Sequence, residues 1–238
     1  MKFQFKSNKY IFKPRFFPSI AFLTALSILL SLSTWQFKRL QWKKKLISER
    51  ISSFEQSPVK FDEIDIPEDN EFRKVLVKGK LLNDKEMFMP ALSRRGNNGF
   101  HILVPLQTDR ERMIIYDSGW IPLHKKNKEL REKNIFEEEM VFEAVIRTSG
   151  RKGYFQPEND LKTNTWFFVE PELMSKYTKL DFDRKYYLEA ISNGPNGFPL
   201  GNQTRIYLRN NHLQYALTWL MIAMGLIGVF FFANIRKN

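Results

Sequence analysis

The chain has 238 residues, with 38 Lys or Arg against 26 Asp or Glu, a formal charge of +12, and no cysteine. The lack of thiols excludes disulfides, thiolate zinc or copper sites, iron–sulfur ligation and thiol redox chemistry in this chain. The charge does not point to nucleic acid: residues 1–50 carry eleven Lys or Arg and one acid, Glu49, Arg236 and Lys237 lie at the other end, and the 25 bases and 25 acids of residues 51–235 cancel. A nucleic-acid groove needs the excess on the folded middle. Here it flanks apolar runs, where it can meet anionic lipid head groups at ~1 kcal/mol per residue.

In chain order, residues 1–15 read as a basic tail holding Lys2, Lys6, Lys9, Lys13 and Arg15. Residues 16–37 contain no charge. At ~1.5 Å per residue such a helix reaches about 33 Å, enough to cross a ~30 Å hydrocarbon layer. Pro14 and Pro18 fall at or before its start, where a missing amide costs little. Trp35 and Trp42 belong near the far interface, where indoles favour the head-group level. A cleaved signal peptide is the competing reading, with Ser31-Leu32-Ser33 as its cleavage site; basic residues on both flanks and the length of the apolar core favour a retained anchor.

Residues 38–53 continue as a polar helical stretch. Beyond them the pattern changes to short apolar runs separated by turn signals, a β signature. Strands are expected at 73–80, 100–107, 113–120, 140–147, 166–170, 185–190 and 204–208, with loops at 96–99 and 193–197. Helical candidates are the polar 125–133 and a short helix at 171–177 opened by Pro171. Without βαβ alternation these strands predict a mostly antiparallel β-barrel-like domain, resembling an OB-type barrel, over residues 38–212. Residues 213–235 form a second uncharged run, the stronger of the two spans, with Ala223, Gly225 and Gly228 as a small-residue strip that another helix could approach. Residues 236–238 are a short tail. The expected fold is a membrane-anchored α+β protein in which two transmembrane helices flank the β domain. Both termini then share one side of the membrane. A domain of ~175 residues translocates largely regardless of its charge, so the termini are assigned to the cytoplasm.

The chain has no Gly-rich phosphate loop, GxSxG or HExxH, so no strong enzyme motif is present. Asp117, Ser118 and His124 are the nearest approach to a hydrolytic set, and a strand end followed by a turn explains them more simply. Glu137, Glu138 and Glu139 read as a solvated run. Of the three histidines, His101 sits in a strand and His124 in a polar turn. His212 stands at the mouth of the second span, where capping or snorkelling competes with a role as axial ligand to haem iron.

In order along the chain, the segments Trp35-Gln36-Phe37-Lys38-Arg39-Leu40-Gln41-Trp42-Lys43, Arg73-Lys74-Val75-Leu76-Val77-Lys78-Gly79, Gly99-Phe100-His101-Ile102-Leu103-Val104-Pro105-Leu106, Ser118-Gly119-Trp120-Ile121-Pro122, Phe155-Gln156-Pro157-Glu158-Asn159-Asp160 with Trp166, and Asn210-Asn211-His212-Leu213-Gln214-Tyr215-Ala216-Leu217-Thr218-Trp219 resemble the signatures of the Surfeit locus family of cytochrome c oxidase assembly factors. The resemblance implies a non-enzymatic, chaperone-like assembly factor for haem-copper oxidase. It would hold haem a transiently near subunit I, with no cofactor needed for folding. His212 is implied as the haem ligand, with Trp35, Gln36, Arg39, Tyr215 and Trp219 around it; no metal site is expected. The implied partners are a subunit I assembly intermediate, a haem a synthesis enzyme and the membrane. A membrane-anchored scaffold that touches only protein is the alternative. With no long Arg-rich presequence ahead of the first span, a bacterial-type member is expected, in the cell inner membrane with a periplasmic domain. One departure stands out. The family commonly has V-N-R-G-W where this chain has Tyr116-Asp117-Ser118-Gly119-Trp120 after Ile115, so a cation is missing. Arg94 and Arg95 are the candidates to replace it.

Overall fold

The computed structural model describes residues 10–237. They fall into two units, residues 10–48 with 208–237, and Glu49–Tyr207. Lys2, Lys6 and Lys9 of the basic tail lie outside the described residues.

The first unit contains strand β1 (Tyr10–Phe12), most of helix α1 (Phe16–Glu55), helix α3 (His212–Ala233) and strand β9 (Ile235–Lys237). Pro18 is confined to the first turn of α1, and no Gly or Pro follows, so the helix continues through residue 37 without a break and takes up the polar stretch after it. Both helices are long and apolar enough to cross a membrane. None of the apolar window of α1 and little of that of α3 is buried against protein. β1 and β9 pair antiparallel, Tyr10 opposite Lys237, so the two ends of the chain meet at one end of this unit.

The second unit is built on β2 (Val59–Lys60), β3 (Lys74–Leu81), β4 (Met87–Leu92), β5 (Asn98–Thr108), β6 (Met113–Pro122), β7 (Met140–Thr148), helix α2 (Pro171–Thr178) and β8 (Tyr186–Ala190). β3 pairs with β7, β7 with β8, β8 with β6, β6 with β5, and β5 returns to β3. That ring of five is the closed Greek-key arrangement of an OB-type barrel, antiparallel except between β6 and β8. Closure depends on Gly79, which pairs with Met140 on β7 and Thr108 on β5 at once. A Cβ there would stand 2.3 Å from the Gln107 carbonyl oxygen.

Alternation along β3 sends Val75, Val77 and Leu81 inward while Leu76, Lys78 and Lys80 face out. The barrel is filled by these with Ile102, Val104, Leu106, Ile114, Ile146 and Leu188. Each fully buried aliphatic side chain contributes about 1.5–3 kcal/mol. A second apolar cluster lies on the outer face. There Leu103 and Ile115 are covered by Trp166, Val169, Met174 and Phe182 from the segment around α2. Helix α2 follows the expectation for 171–177, with Pro171 at its start and Lys179 in the left-handed conformation at its C-cap. The polar 125–133 stretch forms short 3-10 turns, Leu123–Lys125 and Lys128–Asn134.

Two expected strands are absent. At 166–170 the amides of Phe167 and Phe168 donate to Asn159 Oδ1 (2.7 and 3.3 Å), and Gln156 donates to the Phe167 carbonyl. Side chains have taken groups a ladder would use, leaving isolated backbone bonds, from the Trp166 amide to Phe88 and from the Gly150 amide to Val169, in place of a strand. At 204–208 the preceding strand β8 offers no free edge to join, because it already pairs with β7 on one side and β6 on the other. The chain instead crosses as a strap: Leu200 exchanges two backbone bonds with Trp120, and Thr204 Oγ1 donates to Glu189 at 2.6 Å. Strand β4 was hidden in the sequence by Pro90, which the fold tolerates because β4 is an edge strand that pairs only with β5.

Candidate functional site

Within the first unit, α1 and α3 meet through small residues and one polar pair. Ala216 and Ala223, seven positions apart on one face of α3, are buried. Ser33 Oγ donates to the Ala216 carbonyl at 3.0 Å. Phe22 stacks on Phe230 with ring centroids 4.0 Å apart, and Phe12 stacks on Phe231 at 5.6 Å. Gly225 and Gly228 take no part, since a Cβ at either would meet nothing within 4 Å. The close-approach strip of α3 is therefore the alanine pair, and the glycines lie outside it.

At the end of the unit away from β1 and β9, His212 opens α3 and its Nδ1 stands 2.7 Å from Gln36 Oε1. The amide oxygen can only accept, so Nδ1 carries the proton. In the neutral ring Nε2 is then left with its lone pair. The same device, a fixed Nδ1–H bond that orients the other nitrogen, sets histidines that bind metals. Nε2 has no hydrogen bond to any described residue.

Sequence reasoning placed Trp35, Gln36, Arg39, Tyr215 and Trp219 around His212. Only Gln36 bonds to it. At about 100° per residue, Gln36 shares a face of α1 with Ser33 and buried Leu40, while Arg39 lies about 60° and Trp35 about 100° to the other side of Gln36. Trp35 is half exposed, and the Arg39 guanidinium lies over the Trp42 ring, 3.9 Å from its centroid. On α3, Trp219 is half-buried and falls two turns along from His212 on the same side, and Tyr215 is exposed.

The barrel unit contains a polar constellation that the sequence did not reveal. His101 Nδ1 lies 2.6 Å from Asp117 Oδ2, and the other oxygen of Asp117 accepts from the Gly119 amide at 2.9 Å. Asp117 neighbours Glu189 in the β6–β8 register. Glu189 in turn accepts from Arg147 Nη1 (2.9 Å), Tyr187 Oη (2.8 Å) and Thr204 Oγ1. Burial by itself would lower the His101 pKa; the adjoining Asp117 carboxylate, aided by Glu189 and opposed by Arg205, holds it above the ordinary value. Burial and the Glu189 charge push the Tyr187 hydroxyl well up, so it stays neutral and donates. The sequence signal for His101–Asp117 was a diagonal pair on the outward face of a hairpin, and a register shift between His101 and Leu103 concealed it.

The residues singled out as a hydrolytic set do not assemble. Asp117 is engaged by His101, Ser118 Oγ is buried without a partner, and His124 lines a separate open pocket with Phe88 and Lys128. Ser118 stands where the family commonly has a cation. It lines a small cavity with Arg131, whose guanidinium is buried and paired with Glu86. Arg94 bonds instead to Asn202 and the Thr204 carbonyl in the strap. For Arg95, only a backbone bond to Ser93 is seen.

Comparison with known proteins follows the same residues. The SURF1 family model matches residues 23–224, a stretch that begins inside α1, ends inside α3 and contains both Gln36 and His212. Surfeit locus protein 1 of Takifugu rubripes is 30% identical over 225 residues, covering 87% of this chain and 92% of that protein. The human Surfeit locus protein 1 is 31% identical over 208 residues, covering 79% of this chain and 68% of that protein. A SURF1-like protein of Rickettsia conorii is 28% identical over 220 residues, with 89% and 88% covered.

Proposed function

This chain belongs to the SURF1 family, and from that premise we propose that it is a non-enzymatic assembly factor for cytochrome c oxidase that holds haem a for subunit I with His212 as axial ligand. The hydrogen bond between His212 and Gln36 is the observation that carries this reading. It fixes the ring and leaves Nε2 as a donor to iron, at the end of an apolar helix where a macrocycle can find hydrocarbon on its faces. Trp219 and Tyr215 are the nearest aromatic neighbours along α3 for such a cargo. Trp35 and Arg39, in the same turns of α1 as Gln36, are candidates for the edge of the macrocycle, without a bond to His212.

In this reading α1 and α3 cross the bacterial inner membrane, with both chain ends in the cytoplasm and the barrel in the periplasm. The pairing of β1 with β9 supports a hairpin-like traverse, because it keeps the two ends of the chain together. The handed-over partner is a subunit I intermediate, and a haem a synthesis enzyme is the source.

Purified protein co-produced with haem a synthesis enzymes should carry a Soret band. His212→Ala should abolish most of it. Gln36→Ala should weaken haem retention by about tenfold, the usual cost of losing a partner that orients a ligand, and Gln36→Glu should restore it. An unchanged spectrum in His212→Ala removes this residue from the site. Deletion of the gene should selectively lower assembled haem-copper oxidase. A haem-free protein that still supports assembly would establish the scaffold reading, for which the fully exposed ring pair Tyr154 and Phe155 offers a docking point.

A further inference from the structure

The residues that follow the apolar part of α1 separate into two faces, one turned to protein and one exposed. Gln36 and Leu40 turn inward, the first to His212 and the second into buried surroundings. Trp35, Lys38, Arg39 and Trp42, spaced by three and four, form an exposed stripe on the other face. Arg39 is stacked on Trp42, which holds the guanidinium plane while leaving its N–H edge open. Among the described residues neither Lys38 nor Arg39 has an acidic partner, and no acid occurs between Lys38 and Ser48. Trp35 to Trp42 spans about 10 Å along the helix. The polar layer on each side of a bilayer is about 5–8 Å deep. A stripe whose first indole sits at the hydrocarbon edge therefore carries its two cations through the depth of the lipid phosphates.

Resting on the reading that α1 crosses a membrane, we propose that this stripe is a binding site for an anionic phospholipid, its phosphodiester held by Lys38 and Arg39 and its glycerol and upper chains against Trp35 and Trp42. Charge complementarity selects this occupant. A zwitterionic lipid brings its own ammonium to compete for its phosphodiester and leaves the second cation uncompensated, and a protein helix would have to supply acids at matching depth.

The test uses the full chain in nanodiscs of phosphatidylcholine with or without phosphatidylglycerol, reading tryptophan quenching by brominated lipid of either class. Brominated phosphatidylglycerol should quench more strongly at equal mole fraction, and Trp42→Phe should remove most of the difference. Preference should fall about fivefold for each cation removed in Lys38→Gln and Arg39→Gln. Arg39→Lys should keep most of it, and His212→Ala, on the other face, should keep all of it. Equal quenching by the two lipids, or a preference that survives the double Gln variant, overturns the proposal. Displacement by millimolar inorganic phosphate would assign the cations to free phosphate and overturn the lipid. A chain that alkaline carbonate releases from native membranes would sink the membrane reading itself. A chain that resists extraction but shows no lipid preference would sink only this site.

Discussion

The barrel unit and the helical unit solve opposite problems with the same kinds of residue. In the barrel, polar groups on the outer face are tied into a shared network, His101 to Asp117 and Arg147, Tyr187 and Thr204 to Glu189, and the core apolar residues have protein on every side. In the helical unit, most large apolar side chains are exposed and the polar contact between the helices near His212 is one imidazole with one amide. The difference teaches where each kind of information resides. Stability resides in the barrel, whose buried groups cannot be changed without leaving a cavity or an unpaired charge. The proposed chemistry resides in the helical unit, where His212 is oriented by Gln36 alone.

The largest effect should come from Trp166→Ala. That fully buried ring caps the outer cluster, so its loss should cost about 3–5 kcal/mol of barrel stability. Denaturant unfolding of the solubilised protein measures it, and haem retention by the folded fraction should not change. A variant that lost haem while still folded would break the division between the units. Ala223→Leu should follow, at about 1–3 kcal/mol, by overfilling the contact of α3 with α1. Gly225→Leu and Gly228→Leu should be nearly neutral, since each new side chain meets open space. Thermal melts of the three variants side by side check this, and equal losses would refute the assignment of the alanine face.

The smallest effect is one of pH. His101 has a raised pKa in the folded state, so its pairing with Asp117 stabilises fully below about pH 6.5, the value expected of the unfolded chain. That contribution is lost as pH rises through the folded value. Stability of the barrel should therefore decline across this window, and His101→Gln should flatten the decline. A wild-type chain whose stability is constant from pH 6 upward would show that the pair is not charged.

Much of the barrel could be read in the sequence, because period-two alternation is a local property: the runs of β3, β5, β6, β7 and β8 each sit within a residue or two of expectation. The failures were non-local. Trp166 is as apolar as any strand residue, yet Asn159 and Gln156 claim the backbone around it, and nothing in a short window shows that. The Thr204 segment reads as a strand until closure of the ring leaves it no edge. For the candidate site, His212 and Gln36 were both singled out and the fold joins them, whereas Trp35 and Arg39 of the same motif make no bond to His212 among the described residues.

What the sequence determined alone was element identity and charge placement: two apolar helices, a neutral β domain and an excess of positive charge confined to the ends, since hydropathy, propensity and charge are fixed residue by residue. Tertiary structure decided which side chains meet. It paired Gln36 with His212 across 176 positions, joined His101 to Asp117 through a shifted register, and placed Arg131 beside Ser118. Contacts of that kind depend on register, closure and helix rotation, and these are properties of the packed chain and not of any stretch of it.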